Sequence, residues 1–404
     1  MTSKKTLMLM TAGFMLTTSS AVLAEKKYDT GATDTEIKIG NTAPYTGFLS
    51  SVSKLGKSMT AYFKMVNDNG GINGRKVNFI SYDDAFDPAK TVGQTRKLVE
   101  DDGVLLTSGS VGTVPALSVR PYLNEKKIPT LFMASSSPLM KDPEHFPYSF
   151  GALIDQSFEM QTYVDYIVAN LPDAKIAILS SHDEYGLAYS KTLKERLAFH
   201  KKESMLVAEE TYDNTNVNIS AQMLKLKDSG ATVFLNMAIG KFAIQALQAS
   251  QDSSWKPLRF LNTNISSRES TLTPAGLPES KGIITVQAWK DPSDPKWDNE
   301  PDMKAYKAFM AKYLPDEKVT DLYAVYGYSY AANTEAILKA CGDELTHANV
   351  LKVTSNWKAQ GTMFLPTVEA NYTPTNYLFF KKLDLVQFNG NLWEKMPDTK
   401  AAKS

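Results

Sequence analysis

The sequence holds a single cysteine, Cys341, so no disulfide can form within the chain. It also lacks an excess of either charge: 44 lysines and arginines stand against 44 aspartates and glutamates. That balance argues against nucleic acid or an anionic membrane surface as a standing partner. Histidine is scarce. His145, His182, His200 and His347 are widely spaced and none has metal-ligand spacing. His182-Asp183-Glu184 follows a strand-like run, where a solvated polar loop is the plainer reading than a metal site. No Gly-x-Ser-x-Gly elbow, phosphate loop or dinucleotide fingerprint occurs. Gly109-Ser110-Val111-Gly112-Thr113 is rich in glycine but lacks the lysine of a P-loop. Asp83-Asp84 is a carboxylate pair without a nucleophile or partner base, and reads as a cap at a strand end. No catalytic residue, metal or cofactor is therefore expected.

A long apolar run is missing too. The N-terminus carries Lys4 and Lys5, a short apolar stretch from Leu7 to Leu16, and small residues at Val22-Leu23-Ala24. This is the pattern of a secretion signal at 1–24, with a mature chain starting near Glu25. The apolar stretch is short for a membrane anchor. The signal has no cysteine at its end, which argues against a lipid anchor there. A secreted chain without disulfides relies on the size of its core, and 404 residues suffice for two cored domains. Cys341 ends a helical pattern and reads as a half-buried apolar residue.

What is present is a rhythm. Ile37 to Asn41, Val77 to Tyr82, Val104 to Thr107 and Ile128 to Phe132 read as strands. Helices are expected between them at Ser53 to Asn69, Lys90 to Glu100 and Val114 to Asn124. In the first, Leu55, Met59, Phe63 and Val66 share a face. Asn69-Gly70-Gly71 stops it, and Asp87-Pro88 opens the second. After a break near Asp142 to Gly151 the rhythm restarts, with strands at Lys175 to Ser180, Leu206 to Thr211, Thr232 to Asn236 and Leu258 to Leu261. Helices are expected at Phe158 to Asn170, Tyr185 to His200, Ile219 to Asp228 and Lys241 to Ser250. Further helices are expected at Pro301 to Tyr313, Tyr323 to Ala340 and Thr346 to Ser355. A hairpin turning at Asn389-Gly390 closes the chain. Such alternation predicts an α/β fold of two parallel-sheet lobes.

In open α/β sheets, ligands sit beyond the carboxyl ends of the strands. That rule selects Tyr45-Thr46-Gly47, Ser110 to Thr113, Ser135 to Ser137, His182 to Tyr185, Met237 to Ile239 and Asn262 to Asn264.

Several of these positions carry a resemblance. Gly70-Gly71-Ile72-Asn73-Gly74, Tyr82-Asp83-Asp84-Ala85 with Asp87-Pro88, Ile128-Pro129, Pro138 and Tyr185-Gly186 resemble the leucine/isoleucine/valine-binding protein family. Those are solute receptors of ABC importers. The resemblance covers the mature chain nearly end to end. It implies the type I periplasmic-binding fold: two doubly wound lobes joined by a hinge, 25–147 plus 286–364 and 148–285 plus 365–404. It also implies a periplasmic monomer that hands its solute to a membrane permease. The family grips a carboxylate between the lobes. Thr113 matches its hydroxyl residue at a helix start, where orphan N–H groups favour an anion; the plain alternative for Thr113 is an N-cap. Ala134, Ser135 and Ser136 match the loop after the fourth strand, and Tyr185 the cleft tyrosine of the second lobe.

Two departures from the family shape the expected ligand. Amino-acid-binding relatives hold the ammonium with a carboxylate, where this chain has Asn264. An amide accepts a hydrogen bond but does not neutralise a buried cation. A second cleft aromatic of the family falls near Ala238 and Ile239, which are smaller. These changes fit a small hydrophobic carboxylate, in a branch resembling receptors for aromatic carboxylates, with Tyr45, Phe48 and Phe158 as a candidate aromatic wall. A branched-chain amino acid is the alternative ligand. A ligand-sensing receptor coupled to signalling and a secreted α/β enzyme are the alternative classes. A disulfide found in some relatives is absent, its positions reading as Phe86 and Gly112.

Overall fold

The strand–helix units wind into two separate sheets. The computed structural model describes residues 26–251, 254–359 and 363–397, so the expected signal at 1–24 lies outside the described residues. The first sheet has five strands in the order Lys76–Asp83, Glu36–Ala43, Leu106–Ser108, Thr130–Met133, Ser149–Gly151. All are parallel. The second has seven, in the order Trp393–Lys395, Asp384–Phe388, Ile284–Gln287, Leu258–Leu261, Val233–Met237, Ile176–Ser181, Leu206–Tyr212. It is parallel except for the final hairpin. A pair of two-residue strands, Lys27–Tyr28 and Glu344–Leu345, lies apart from both.

The order of each sheet reverses once. Glu36–Ala43 and Ile176–Ser181 each have their successor on one side and a later strand on the other. These are the switch points where a doubly wound sheet opens a crevice at its carboxyl edge.

Local chemistry explains the elements. In Glu36–Ala43, Ile37 and Ile39 are fully buried, as a strand with a covered face requires. In the helix Lys54–Asp68 the expected stripe of Leu55, Met59, Phe63 and Val66 is buried. Asp87 caps the next helix by accepting from the Ala89 N–H at 2.8 Å, with Pro88 in the first turn. That helix ends at Arg96 and widens into a π turn over Lys97–Asp101, earlier than the expected Glu100. Ser149–Gly151 and Ile284–Gln287 are strands that the sequence reading did not assign. They are only three and four residues long, at or below the shortest run in which a period can be read.

The chain passes between the lobes three times. It leaves the first sheet after Gly151. It returns after Gln287, so that helices Pro301–Tyr313 and Leu322–Cys341 pack on Lys54–Asp68. It crosses again before Asp384. Sheet membership moves the first crossing past the expected residue 147, because Ser149–Gly151 still pairs with Thr130–Met133. Aromatic rings knit the crossings together. Tyr372 lies 5.1 Å from Phe150, and Trp289 lies 4.9 Å from Phe380. The Tyr372 hydroxyl donates to the Gly151 carbonyl at 2.9 Å. Each buried aromatic contributes roughly 1.5–3 kcal/mol of burial, which fixes the crossings as a unit. Cys341 is buried, its thiol pushed up to about 12 by burial, as suits an inert core residue.

Candidate ligand-binding cleft

The first lobe's side of the cleft is built from two strand ends. Beyond Leu106–Ser108 the chain meets the next strand's extension: the Gly112 N–H donates to the Ala134 carbonyl at 3.0 Å, and the Ala134 N–H to the Ser110 carbonyl at 2.8 Å. Gly112 has φ +110, and a Cβ there would lie 2.4 Å from the Phe86 ring. Only glycine fits that backbone and that gap. The expected substitutes for a relative's disulfide thus do face each other, as a ring and a hydrogen. Gly112, not Thr113, is the N-cap of helix Thr113–Glu125. Thr113 is its first residue, with no capping duty for its side chain. The N–H groups of Thr113 and Val114 have no partner within the helix, as in any first turn. The Thr113 hydroxyl lies 3.1 Å from the Ser135 hydroxyl.

The second lobe's side is braced from behind. Asp183 caps helix Glu184–Phe199 by accepting from the Tyr185 and Gly186 N–H groups, both at 3.1 Å. A Cβ on Gly186 would lie 1.9 Å from the Ser181 carbonyl oxygen, so glycine sets how closely this helix follows its strand. The turn places Tyr185 at the cleft. Its hydroxyl donates to Asn262 Oδ1 at 3.0 Å. Burial raises the Tyr185 phenol well above its ordinary value, so it stays neutral. The Asn264 amide Nδ2 donates to the Tyr185 hydroxyl and to Ser136 Oγ, each at 3.2 Å, the latter across the lobes. Glu159 stands behind this loop, wholly buried. It accepts from the Thr263 N–H and the Tyr163 hydroxyl, both at 2.7 Å, and from the Tyr189 hydroxyl at 2.5 Å. Burial lifts its carboxyl from 4.5 to about 7, against those three donors.

Between the two sides lies a cavity of about 560 Å³, part of it open to solvent. Thr113, Ser136, Tyr185 and Asn264 form a polar end. Leu49, Val52, Leu55, Leu153, Ile239 and Ile265 form much of an apolar body, completed by Phe86, Tyr323 and Tyr326. Among the described residues, no charged side chain lines it. The lobes also touch beside the cavity. Lys54 Nζ reaches Ser270 Oγ at 3.1 Å, and Lys318 pairs with Glu269 at 2.7 Å.

Thr113, Ala134, Ser136, Tyr185 and Asn264 therefore meet in one cavity, while three other expected residues do not line it. Ser135 stands one step back, its hydroxyl turned to Thr113 and to the Ser137 N–H. Ala238 is fully buried behind the wall, with its carbonyl accepting from Asn262 Nδ2 at 2.9 Å, and its neighbour Ile239 faces the cavity instead. The alternation of side chains at a strand end decides which of the two looks inward. Tyr45 is turned away: its hydroxyl meets Ser81 Oγ at 2.6 Å, and its ring borders a surface groove with Lys57 and Tyr313. The aromatic wall also differs. Phe48 packs behind Phe86 at 5.5 Å, and neither it nor Phe158 lines the cavity. Tyr323 and Tyr326 take that place. They come from the start of helix Leu322–Cys341, capped by Asp321, which a search of strand ends does not reach. Asp83 accepts from the Tyr45, Thr46 and Ala85 N–H groups, the strand-end cap expected of it.

The sequence matches the periplasmic binding protein family over residues 36–384. The chain belongs to that family. Among curated relatives, Leu/Ile/Val-binding protein homolog 3 of Brucella melitensis is 26% identical over 199 residues, 49% of this chain and 53% of that protein. The chain spans about half the length of the first curated relatives it matches. Two solved structures share the fold. A branched chain amino acid ABC transporter from Thermus thermophilus with bound valine has a TM-score of 0.80 at 17% identity, over 91% of this chain and 96% of that one. A fatty acid ABC transporter substrate-binding protein from Thermomonospora curvata has a TM-score of 0.75 at 19% identity, over 92% and 94%. The binding protein described here has the same two-lobed arrangement of mostly parallel sheets. Among its described residues no helix is long and apolar enough to cross a membrane.

Proposed function

We propose that this periplasmic binding protein captures a small hydrophobic carboxylate and delivers it to the permease of an ABC importer. One observation carries the ligand class: the cavity joins an apolar body to a polar end that has hydroxyl donors and a helix start but no charged side chain. A single carboxylate suits such an end, because Thr113 and Ser136 can donate to it and the first-turn N–H groups add a favourable field. An ammonium does not, because no carboxylate lines the wall to neutralise it. Tyr323, Tyr326 and Phe86 suit a flat or branched tail. Support for delivery to a permease, and for the periplasm as the site of capture, comes from the family and from the secretion signal in the sequence.

The mechanism is hinge closure of the two lobes about the crossings after Gly151, after Gln287 and before Asp384. The ligand favours the closed state by touching both lobes at once. The protein acts as a monomer, binds its ligand unchanged and needs no cofactor.

A branched-chain amino acid is the second reading, favoured by the bound valine of the Thermus structure and the relatives' names. Calorimetric titration of the protein, unfolded and refolded to strip carried ligand, separates the two. Binding of 3-phenylpropanoate or 4-methylpentanoate without leucine supports the carboxylate. Tight leucine binding supports the amino acid.

A further inference from the structure

We infer that Glu159 ties capture of the ligand to uptake of a proton: the site holds a carboxylate most tightly when this buried acid, which does not line the cavity, is neutral. This rests on the carboxylate reading above and adds to it a group that responds to the ligand's charge. Glu159 is fully buried behind the polar end of the cavity. It accepts from the Thr263 N–H at 2.7 Å, between Asn262 and Asn264. It also accepts from the hydroxyl of Tyr189, whose ring lies 5.4 Å from that of Tyr185. Asn264 and Tyr185 line the cavity, so the acid stands directly behind groups that face the ligand.

No lysine, arginine or histidine pairs with Glu159 among the described residues. The groups facing it are neutral or negative. Its own helix and cap bring Tyr163 and Asp155, and helix Glu184–Phe199 brings Tyr185 and Tyr189. The first lobe brings Tyr326. Asp155 is the one charge among these, an anion whose own partner is Lys141 at 3.1 Å.

The hydrogen bonds suit either charge state. The Tyr163 hydroxyl has one proton for two acceptors, Glu159 Oε1 at 2.7 Å and the Leu261 carbonyl at 2.9 Å. With Glu159 ionised, that proton goes to the acid. With Glu159 protonated, the acid donates to the Tyr163 oxygen and Tyr163 serves Leu261. Rotation of a hydroxyl is enough, so the loop carrying Asn264 keeps its place.

Burial lifts the carboxyl to about 7, so near-neutral solution leaves part of it ionised. A ligand carboxylate at Thr113 and Ser136 brings a second anion into the same cation-free, low-dielectric space. Like charges there repel, so binding raises the Glu159 carboxyl further and draws a proton from solvent. Affinity is therefore highest where Glu159 is already protonated, and falls as pH rises through about 7.

The test is calorimetry on the refolded chain with 4-methylpentanoate and 3-phenylpropanoate, acids that stay ionised above about pH 6. Buffers of different ionisation enthalpy read the protons exchanged. At about pH 7.5, about 0.3–0.6 of a proton should be taken up per ligand. Affinity should fall about threefold to thirtyfold between about pH 6 and about pH 8.5. Glu159→Gln should abolish the uptake and flatten the profile. Tyr189→Phe, which removes a donor to the ionised acid, should move the fall upward by about one pH unit. Melting curves establish that each variant is folded. Binding of the acids by the natural protein without uptake, or with release of a proton, would overturn the inference and leave the carboxylate reading intact. Uptake that persists in folded Glu159→Gln would overturn it as well, by placing the proton elsewhere, as on His145 beside Asp142. Failure of both acids to bind would overturn the carboxylate reading and this inference together.

Discussion

The two lobes bring opposite resources to one cavity. The first contributes Thr113 and Ser136, hydroxyl groups on strand-end loops, beside a helix start with orphan N–H groups. The second contributes Tyr185 and Asn264, whose donors are already committed to Asn262, to each other and to Ser136. On the proposed reading, the first lobe would hold the carboxylate and the second would select what accompanies it. Their foundations differ as well. The first lobe's site hangs on backbone hydrogen bonds between adjacent strand ends. The second lobe's loop is anchored by a buried acid, Glu159.

Removing that anchor should have the largest effect. Glu159→Ala leaves the Thr263 N–H without its acceptor and opens a void, a loss on the order of 3 kcal/mol in urea unfolding. The same residue sets a pH dependence. Its folded carboxyl titrates near 7 because burial disfavours the charge, against 4.5 for an ordinary glutamate. It therefore contributes stability that is full below about 4.5 and lost as pH rises through about 7. Glu159→Gln should flatten that fall between pH 4.5 and 7. Asp165 works in the opposite sense. Burial pushes it up, but Arg196 and His200 pull it below its ordinary value, so its contribution is lost only in more acid solution.

Next come the anion donors. Thr113→Ala and Ser136→Ala should each weaken carboxylate binding by about tenfold to a hundredfold, as hydrogen bonds to a charged group do, with little change in melting temperature. Equal losses from Tyr185→Phe would break the contrast between lobes, because Tyr185 has no free proton to give the ligand. Gly112→Ala should cost about 2 kcal/mol of stability, from its φ of +110 and the Phe86 ring 2.4 Å from the new Cβ. The smallest effect is expected at the rim. Glu269 joins Lys318 at 2.7 Å and Thr320 at 2.9 Å across the lobes. Glu269→Gln should lower affinity about two- to fivefold, less in high salt, because exposed pairs contribute little.

The sequence reading reached the cavity from both lobes, through Thr113, Ala134 and Ser136 in the first and Tyr185 and Asn264 in the second. Thr113 and Ser136 are legible because strand, turn and helix start are adjacent in the chain, so the rule for strand ends finds them directly. Tyr185 and Asn264 follow from the same rule. Ala238 was displaced by one residue, an error to which the two-residue period of strands is prone. Tyr45 was misjudged for a different reason. It follows a strand, but its hydroxyl found Ser81 on the neighbouring strand, and nothing local announces that partner. Glu159, Tyr323 and Tyr326 were missed because their importance is purely tertiary. Glu159 sits inside an ordinary amphipathic helix. The two tyrosines reach the cavity only because helix Leu322–Cys341 packs back onto Lys54–Asp68. The fold was more legible than the site, since repeated strand–helix alternation survives an error in any one element. Short strands such as Ser149–Gly151 were the elements lost.

The central claim is that the second lobe's wall has no charge to offer and so excludes a zwitterion. The most direct test is competition at neutral pH on the refolded protein, with leucine against 4-methylpentanoate, its analogue without the ammonium. The account predicts that 4-methylpentanoate binds at least about tenfold tighter than leucine, an unpaired buried cation being costly. Leucine binding as tightly as the acid, or tighter, would contradict it and return Asn264 to the role of an ammonium ligand.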